Sequence, residues 1–312
     1  MQISLVDKNI IIIATYNAMP WLSKCLESTR PYAVIVVDNN STDETVNFIN
    51  ANYPRVTLFQ QSKNLGFGQA NNIGMSYALK QGAEYVFLLN QDAYLEKDTI
   101  EKLIEVHKKN DNFGILSPIH LNGKGDRLDQ NFSNYINYYA NPDFYSDFVL
   151  KKTLPDVYEV PFVNAAGWLL SKNCLETVGG FDPVFFHYGE DDNYCQRVLF
   201  HGLKIGVVPQ VFLKHDRETR IFKQDQDGEK GTFSKQERVL KLRYANINRE
   251  DFKEVKKLIK KSNKAAIKSF LKLRFKASKF YKMEAELLKR ISPEIEKSRL
   301  LNKTKGPHYL DL

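Results

Sequence analysis

The chain has 312 residues, of which 43% are hydrophobic, 26% charged and 12% aromatic, a composition typical of one large or two smaller globular domains. Its 20 phenylalanines and 16 tyrosines exclude general disorder. No apolar run reaches the roughly 18 residues that span a bilayer, and no secretory signal is visible. Cys25, Cys174 and Cys195 are widely spaced and match no disulfide or metal-binding pattern, so we expect a cytoplasmic protein.

The net charge of +8 is unevenly distributed. Residues 235–312 carry 23 basic and 9 acidic side chains, whereas residues 1–234 carry 22 basic and 28 acidic ones. This change in composition predicts a domain boundary near residue 234. A first domain then covers 1–234, and a basic, mostly helical region covers 235–312.

Strand and helix patterns alternate over the first 120 residues. The β-branched run Ile10–Ala14 and the run Ala33–Val37 are typical of strands buried on both faces of a parallel sheet. Between them, Pro20–Thr29 is predicted to be helical, and Ser41 with Glu44 forms a capping box for the next helix. The alternation continues with strands over 56–60, 85–89 and 113–117 and helices over 68–81 and 99–110. The pattern predicts an α/β fold, a Rossmann-like, mainly parallel sheet flanked by helices.

The pattern weakens over 122–158, which is rich in aromatic and polar residues. We expect irregular loops or small antiparallel strands there; the alternative is a surface whose aromatic side chains face a sugar-like ligand. A further buried strand is predicted over 162–171.

Polar residues follow three of the predicted strands, at their carboxyl ends. They are Thr15-Tyr16-Asn17, Asp38-Asn39-Asn40-Ser41 and Asn90-Gln91-Asp92. One such cluster would be explained by a turn, but three would meet at one edge of the sheet, where open α/β sheets bind ligands.

One single aspartate, one run of three acidic residues and one histidine are candidates for chemistry. Asp92 follows a buried strand, where a carboxylate suits Mg²⁺ or Mn²⁺, although an aspartate after a strand, taken alone, is more often a turn or helix-cap residue. Glu190, Asp191 and Asp192 adjoin one another; like-charge repulsion would raise one pKa and suit a general base, or the three could simply stabilise a helix dipole. His215 is either a metal ligand or a structural histidine.

A glycine-containing segment, NLGFGQANNIG over 64–74, is not a dinucleotide fingerprint. The third glycine of that pattern would fall at Asn71, and the segment lies at the third strand–helix connection instead of the first.

In their order and spacing, these motifs resemble glycosyltransferase family 2, whose members have the GT-A fold. The matching segments are ATYN, VVDNNSTD, NLGFGQANNIG, LLNQDA, VGGFDPVFFHYGEDDNYCQR and the later His215. The resemblance covers about residues 8–220 and is greatest to the rhamnosyltransferase-like subgroup, which builds bacterial surface polysaccharides. It implies a nucleotide-sugar half over about 1–120 and an acceptor half over about 121–234.

The resemblance also implies roles for individual residues. Tyr16 would lie against the base of the donor nucleotide, and Asp38 would accept a hydrogen bond from that base. Asp92 would end the metal motif, with His215 as a further metal-associated residue, and Asp191 would be the catalytic base with Glu190 beside it. Asn193 replaces the second aspartate of the usual EDxD pattern, which leaves Asp192 as a rival base. The predicted donor-binding residues are Thr15, Tyr16, Asn17, Asp38, Asn64, Gly66, Asn71 and Asn90.

The function implied is an inverting, metal-dependent transfer of rhamnose or another hexose from a nucleoside-diphosphate sugar. The acceptor would be a hydroxyl of a glycan or lipid-linked glycan, and the cofactor Mg²⁺ or Mn²⁺. The alternative is a non-catalytic nucleotide- or glycan-binding protein of the same fold, tethered by its basic tail.

The basic tail carries apolar residues at near-helical spacing between lysines, over 249–290. Such helices pack an apolar side on the first domain, bind anionic lipid as a peripheral protein on the inner face of the cytoplasmic membrane, or attract nucleic acid. Nucleic acid is the least favoured of these partners.

Overall fold

The computed structural model describes residues 8–218 and 228–312, with the backbone alone over 228–233. Packing divides the chain into two compact units, Met1–Phe222 with Lys305–Leu312, and Lys223–Thr304. The second unit therefore begins at Lys223, before the boundary near residue 234 that the change in composition predicts.

The amino-terminal half of the first unit is a parallel α/β arrangement. Its elements are β1 (Asn9–Thr15), α1 (Leu22–Ser28), β2 (Ala33–Asp38), α2 (Thr45–Asn52), β3 (Thr57–Gln60), α3 (Phe67–Lys80) and β4 (Tyr85–Leu89). The strand order is β3-β2-β1-β4. In the register of β1 and β2, Thr15 lies opposite Asp38, so both strands end at the same edge.

The second half extends the sheet with mixed pairing. Its elements are β5 (Ala93–Leu95), α4 (Thr99–Lys109), β6 (Phe113–Asn122), α5 (Gln130–Tyr135), α6 (Pro142–Val149), β7 (Tyr158–Glu159), β8 (Gly167–Ser171), α7 (Lys172–Val178), α8 (Glu190–Phe200) and β9 (Lys204–His215). The strand order continues as β4-β8-β6-β9-β5, and β7 pairs with β9. Strand β8 runs antiparallel to β4 and β6, whereas β6 and β9 are parallel. The expected α/β sheet is confirmed, with its parallel part concentrated in the first half.

The isoleucine run of β1 is buried on both faces of the sheet. Ile10 and Ile12 pack in one core cluster, and Ile11 and Ile13 pack in the other. Burial of each such side chain contributes about 1.5–3 kcal/mol, so this run anchors the strand whose end begins the site. All three cysteines are buried free thiols, and burial raises their pKa values, which leaves them poor nucleophiles.

Local sequence rules were wrong at several elements. The predicted capping box does not form, because α2 begins at Thr45 and Ser41 instead hydrogen-bonds Asp38. The aromatic stretch after residue 122, expected as irregular loops or small antiparallel strands, contains the helices α5 and α6. The strand predicted over 162–171 begins only at Gly167.

The second unit is helical, as expected for the tail. It contains α9 (Gly228–Ala245), a short 3₁₀ helix (Asp251–Glu254), α10 (Val255–Leu271) and α11 (Phe275–Asn302). Helices α10 and α11 form a hairpin, closed by hydrogen bonds from Ser262 Oγ to Glu284 Oε2 (2.8 Å) and from Ser278 Oγ to the Ala266 carbonyl (2.8 Å). In the described parts of the chain, no helix is both long and apolar enough to cross a bilayer.

The last eight residues pack within the first unit. The Gly180 amide donates to the His308 carbonyl (2.8 Å), and the Asp311 amide donates to Ser76 Oγ (3.0 Å). Gly179 has φ +81°, and a Cβ there would lie 2.3 Å from the His308 carbonyl oxygen, so this contact requires glycine.

Candidate active site

The three polar strand ends meet in one cleft of about 670 Å³ in the first unit. Because β1, β2 and β4 run parallel, their carboxyl ends lie at one edge, as the sequence predicts. Of the predicted site residues, those lining the cleft are Thr15, Tyr16, Asn17, Asn64, Gly66, Asn90, Asp92, Glu190 and Asp191.

Asp38 lies just behind this lining and is fully buried. Its Oδ1 accepts from Thr15 Oγ1 (3.0 Å), and its Oδ2 accepts from the Ser41 amide (2.9 Å). The Asn17 amide in turn donates to Ser41 Oγ (2.9 Å). In this geometry Asp38 holds the ends of β1 and β2 together, while the neighbouring Asn39 reaches the cleft.

Gln91 fixes the end of β1 to the end of β4. Its Oε1 accepts from the Tyr16 amide (2.7 Å), and its Nε2 donates to the Tyr16 carbonyl (3.2 Å). Tyr16 is 46% exposed and lines the cleft, where its ring can stack on a planar ligand. From the sequence, Gln91 was expected in a polar cluster but not in this role.

The glycine-containing segment closes one side of the cleft. Asn64 Oδ1 accepts from the Gly66 amide (2.8 Å), and Asn39 Nδ2 donates to the Gly66 carbonyl (3.2 Å). Gly66 has φ +83°, and a Cβ there would lie 1.9 Å from the Phe186 carbonyl oxygen. Only glycine allows this close approach of the two loops.

Asn71 does not reach the cleft. It is buried in α3, and its Nδ2 donates to the Phe67 carbonyl one turn earlier (2.9 Å). The side chain of its neighbour Asn72 makes two hydrogen bonds to the backbone of Phe181, in the loop before α8. It donates to the Phe181 carbonyl (2.8 Å) and accepts from the Phe181 amide (2.7 Å). The geometry therefore gives both asparagines structural contacts.

Asp92 and His215 lie side by side at the end of β4. The Asp92 Oδ1–His215 Nε2 distance is 3.4 Å, and Asn90 Nδ2 lies 3.5 Å from the same nitrogen. The short strand β5, which the sequence analysis missed, pairs with β9 and sets this contact. Burial lowers the pKa of His215, against an opposing effect of Asp92, so the ring is neutral near pH 7.

This donor set fits a shared cation site. One carboxylate and one neutral imidazole leave coordination positions that diphosphate oxygens can complete around Mg²⁺ or Mn²⁺. Within the described residues, no group of three or more histidine, cysteine, aspartate or glutamate side chains is placed to hold a metal ion.

A strained turn presents the acidic residues of α8. Tyr188 and Gly189 both have positive φ, +66° and +96°, directly before the helix begins at Glu190. Asp191 lines the cleft, whereas Asp192 is absent from its lining. Burial raises the pKa of Asp191, partly offset by backbone hydrogen bonds and by Arg217. Of the two rival aspartates, the geometry therefore brings Asp191 to the cleft wall.

Arg217 is a cleft residue that the sequence analysis missed. Its Nε donates to Asp129 Oδ2 (3.0 Å), and the other Asp129 oxygen caps α5 at the Phe132 amide (2.9 Å). Helix α5 also contributes Tyr135 to the cleft. The pattern His-x-Arg after a strand would have marked Arg217 as a candidate for phosphate contact.

Arg197 fixes α8 to the segment that precedes it. It is fully buried in α8, and its guanidinium donates to the carbonyls of Val178 (3.0 Å) and Gly180. Its guanidinium carbon also lies 5.6 Å from the ring centroid of Tyr309, in the C-terminal segment. This arginine therefore ties α8 to the loop before it.

The parallel half-sheet and the polar cleft at its carboxyl edge define an α/β domain whose ligand cleft lies where such sheets usually bind ligands. The sequence profile of glycosyl transferase family 2 matches residues 10–177, more than half of the chain, and the chain belongs to this family.

Relatives of the chain include a rhamnosyltransferase and a hexosyltransferase. The chain is 28% identical over 221 residues to the dTDP-rhamnosyl transferase RfbF of Shigella flexneri, covering 67% of this chain and 70% of that protein. It is 24% identical over 225 residues to the low-salt glycan biosynthesis hexosyltransferase Agl10 of Haloferax volcanii, covering 70% of each. The resemblance to rhamnosyltransferase-like members is confirmed.

A solved structure shares the fold. It is the mannosyltransferase PcManGT from Pyrobaculum calidifontis in complex with GDP-Man and Mn²⁺, with a TM-score of 0.51 and 19% identity, covering 93% of this chain and 73% of that one. The expected GT-A fold is confirmed.

Proposed function

We propose that this glycosyltransferase moves rhamnose or another hexose, with inversion, from a nucleoside-diphosphate sugar to a hydroxyl of a glycan or lipid-linked glycan. The observation that carries the proposal is a single cleft lined by both Asp92, beside His215, and Asp191. RfbF and Agl10 support the sugar class, since their names describe rhamnosyl and hexosyl transfer.

Asp191 would act as the general base. It takes the proton of the acceptor hydroxyl while the hydroxyl oxygen bonds to the anomeric carbon and the bond from that carbon to the diphosphate oxygen breaks. Attack from the face opposite the leaving group inverts the configuration, and no covalent enzyme intermediate is needed. A raised pKa makes Asp191 a stronger base once it is ionised.

Asp92, His215 and Arg217 would manage the charge of the diphosphate. Asp92 and His215 are the residues that would hold Mg²⁺ or Mn²⁺, which supplies Lewis-acid neutralisation of a leaving diphosphate when bound. Arg217, held in place by Asp129, would donate hydrogen bonds from its guanidinium to the phosphate oxygens of the donor. Tyr16 offers its ring to the base of the nucleotide.

A panel of nucleoside-diphosphate sugars tests the proposal, with hydrolysis of the donor and transfer to glycan acceptors as separate readouts. We expect one donor to be consumed, its transfer product to carry the opposite anomeric configuration, and chelation to remove activity. Donor binding without hydrolysis or transfer by any member of the panel would favour the non-catalytic alternative.

We also propose that the protein works at the inner face of the cytoplasmic membrane, where a lipid-linked acceptor would lie. The excess of 14 positive charges over residues 235–312 supports this location, since anionic leaflets attract such segments.

A further inference from the structure

The turn between α10 and α11 exposes a group of apolar side chains. We call residues 267–280 the hairpin tip. Leu271 is 76% exposed and Leu273 is 75% exposed, values typical of charged surface residues. The exposed apolar side chains of the tip are Ile267, Phe270, Leu271, Leu273, Phe275 and Phe280.

Contacts within the hairpin do not account for the two exposed leucines. The hydrogen bonds of Ser262 and Ser278 join the helices, and the rings of Phe270 and Phe275 meet edge to face with centroids 5.7 Å apart, but Leu271 and Leu273 remain exposed. Leu273 follows the end of α10 with φ +56°, a position where glycine or asparagine is the residue favoured by the backbone. A leucine held there, facing solvent, points to a function outside the hairpin.

Basic residues surround the tip. Residues 255–283 contain 11 lysines and arginines and no acidic residue. Among the described carboxylates, none lies within ion-pair distance of Lys264, Lys268 or Lys272, which flank Ile267 and Leu271 in the sequence. Apolar side chains ringed by cations match the interface of an anionic bilayer, where acyl chains lie beneath phosphate groups.

We infer that the hairpin tip inserts its apolar side chains into the headgroup–acyl boundary of an anionic membrane while its lysines contact lipid phosphates. The inference rests on the proposed action at a membrane, and it adds the inserting element to a purely electrostatic attraction. A nucleic-acid backbone would satisfy the lysines but not the leucines. A second copy of the tip would bring together two strongly positive surfaces.

The test uses the full-length chain carrying Leu271→Ser and Leu273→Ser together, with Leu300→Ser as the matched control. Leu300 is 69% exposed on α11 but lies outside the tip. Co-sedimentation with vesicles of phosphatidylcholine and phosphatidylglycerol should show wild-type binding that increases with the anionic fraction. We expect the double variant to lose binding by about tenfold or more, and the control to keep it.

The depth of insertion is measured with Leu271→Trp in vesicles of brominated lipids. The bromine atoms on the acyl chains should quench the fluorescence of the added tryptophan only if the tip enters the bilayer. Equal binding by the double variant and the wild type, or absence of wild-type binding to anionic vesicles, would overturn insertion. Tighter binding to an RNA or DNA duplex than to vesicles, or a dimer that the double variant disrupts, would also overturn it. Hydrolysis of the soluble donor by the same variants reports the proposed enzyme activity independently of membrane binding.

Discussion

Replacing Asp191 with asparagine tests its proposed role as general base with little other change to the site. The substitution keeps the size of the side chain and its place in the first turn of α8 but removes the proton acceptor. General-base catalysis contributes about 10²–10⁴-fold, so we expect kcat to fall by this factor, or about 3–5 kcal/mol in the activation barrier. Donor affinity should stay within a few-fold of wild type, because the base acts on the acceptor.

The same substitution should stabilise the protein. Burial raises the pKa of Asp191 above that of an unfolded aspartate, so its ionised form opposes folding at neutral pH. Stability contributed by this group is therefore present at low pH and is lost as pH rises from the unfolded pKa through the folded one. Asparagine has no such ionisation, and thermal unfolding at pH 7 should move to a higher temperature.

Three measurements check this reasoning: kcat with a saturating donor, equilibrium binding of the nucleoside diphosphate, and thermal unfolding. In the wild type, kcat should fall with decreasing pH through a range above that of an ordinary aspartate. Asp192→Asn is the matched control and should retain most activity. Near-normal turnover by Asp191→Asn together with an inactive Asp192→Asn would place the base one residue later and refute the assignment.

Further variants test the remaining parts of the site. Asp92→Ala should weaken binding of the nucleoside diphosphate in the presence of Mg²⁺ or Mn²⁺ by tenfold or more, whereas full wild-type activity in excess EDTA would contradict a metal site. Arg217→Gln should raise KM for the donor several-fold, as measured by initial rates, with the exposed Arg127→Gln unaffected. Deletion of 305–312 should lower the free energy of unfolding by about 2–5 kcal/mol in denaturant titrations, since it removes hydrogen bonds and apolar contacts; an unchanged midpoint would mean that this packing is not stabilising.

The parts of the fold predicted well from sequence are those dominated by local pattern. Strand β1 is a run of isoleucines buried on both faces, and its burial leaves little choice of structure. Ser41 shows where local rules fail, because a serine followed by Glu44 suits a helix cap, yet Asp38 and Asn17 recruit it into the site. Helix-capping propensity depends on residues nearby in the chain, so it does not predict whether Ser41 caps a helix or bonds to Asp38 and Asn17.

The site residues that sequence analysis missed depend on contacts between distant segments. Gln91 bonds Tyr16 across 75 residues, and Arg217 bonds Asp129 across 88. Neither pair has a spacing rule, because each contact exists only after the sheet has brought the strand ends together. Asn71 matches the family motif, yet its helix directs the side chain back to the Phe67 carbonyl, a contact that the motif alone does not reveal.

The position of the last eight residues changes how the basic tail can be studied. A protein shortened near Ser234 loses the charged helices, but it also loses the His308 carbonyl that accepts from Gly180 and the Tyr309 ring beside Arg197. Because Arg197 holds the loop that leads to Asp191, such a truncation perturbs the catalytic unit and the tail together. Loss of activity or of membrane binding in that protein would not identify its cause. Point substitutions at the hairpin tip leave this packing intact, so only they can assign membrane binding to the tail.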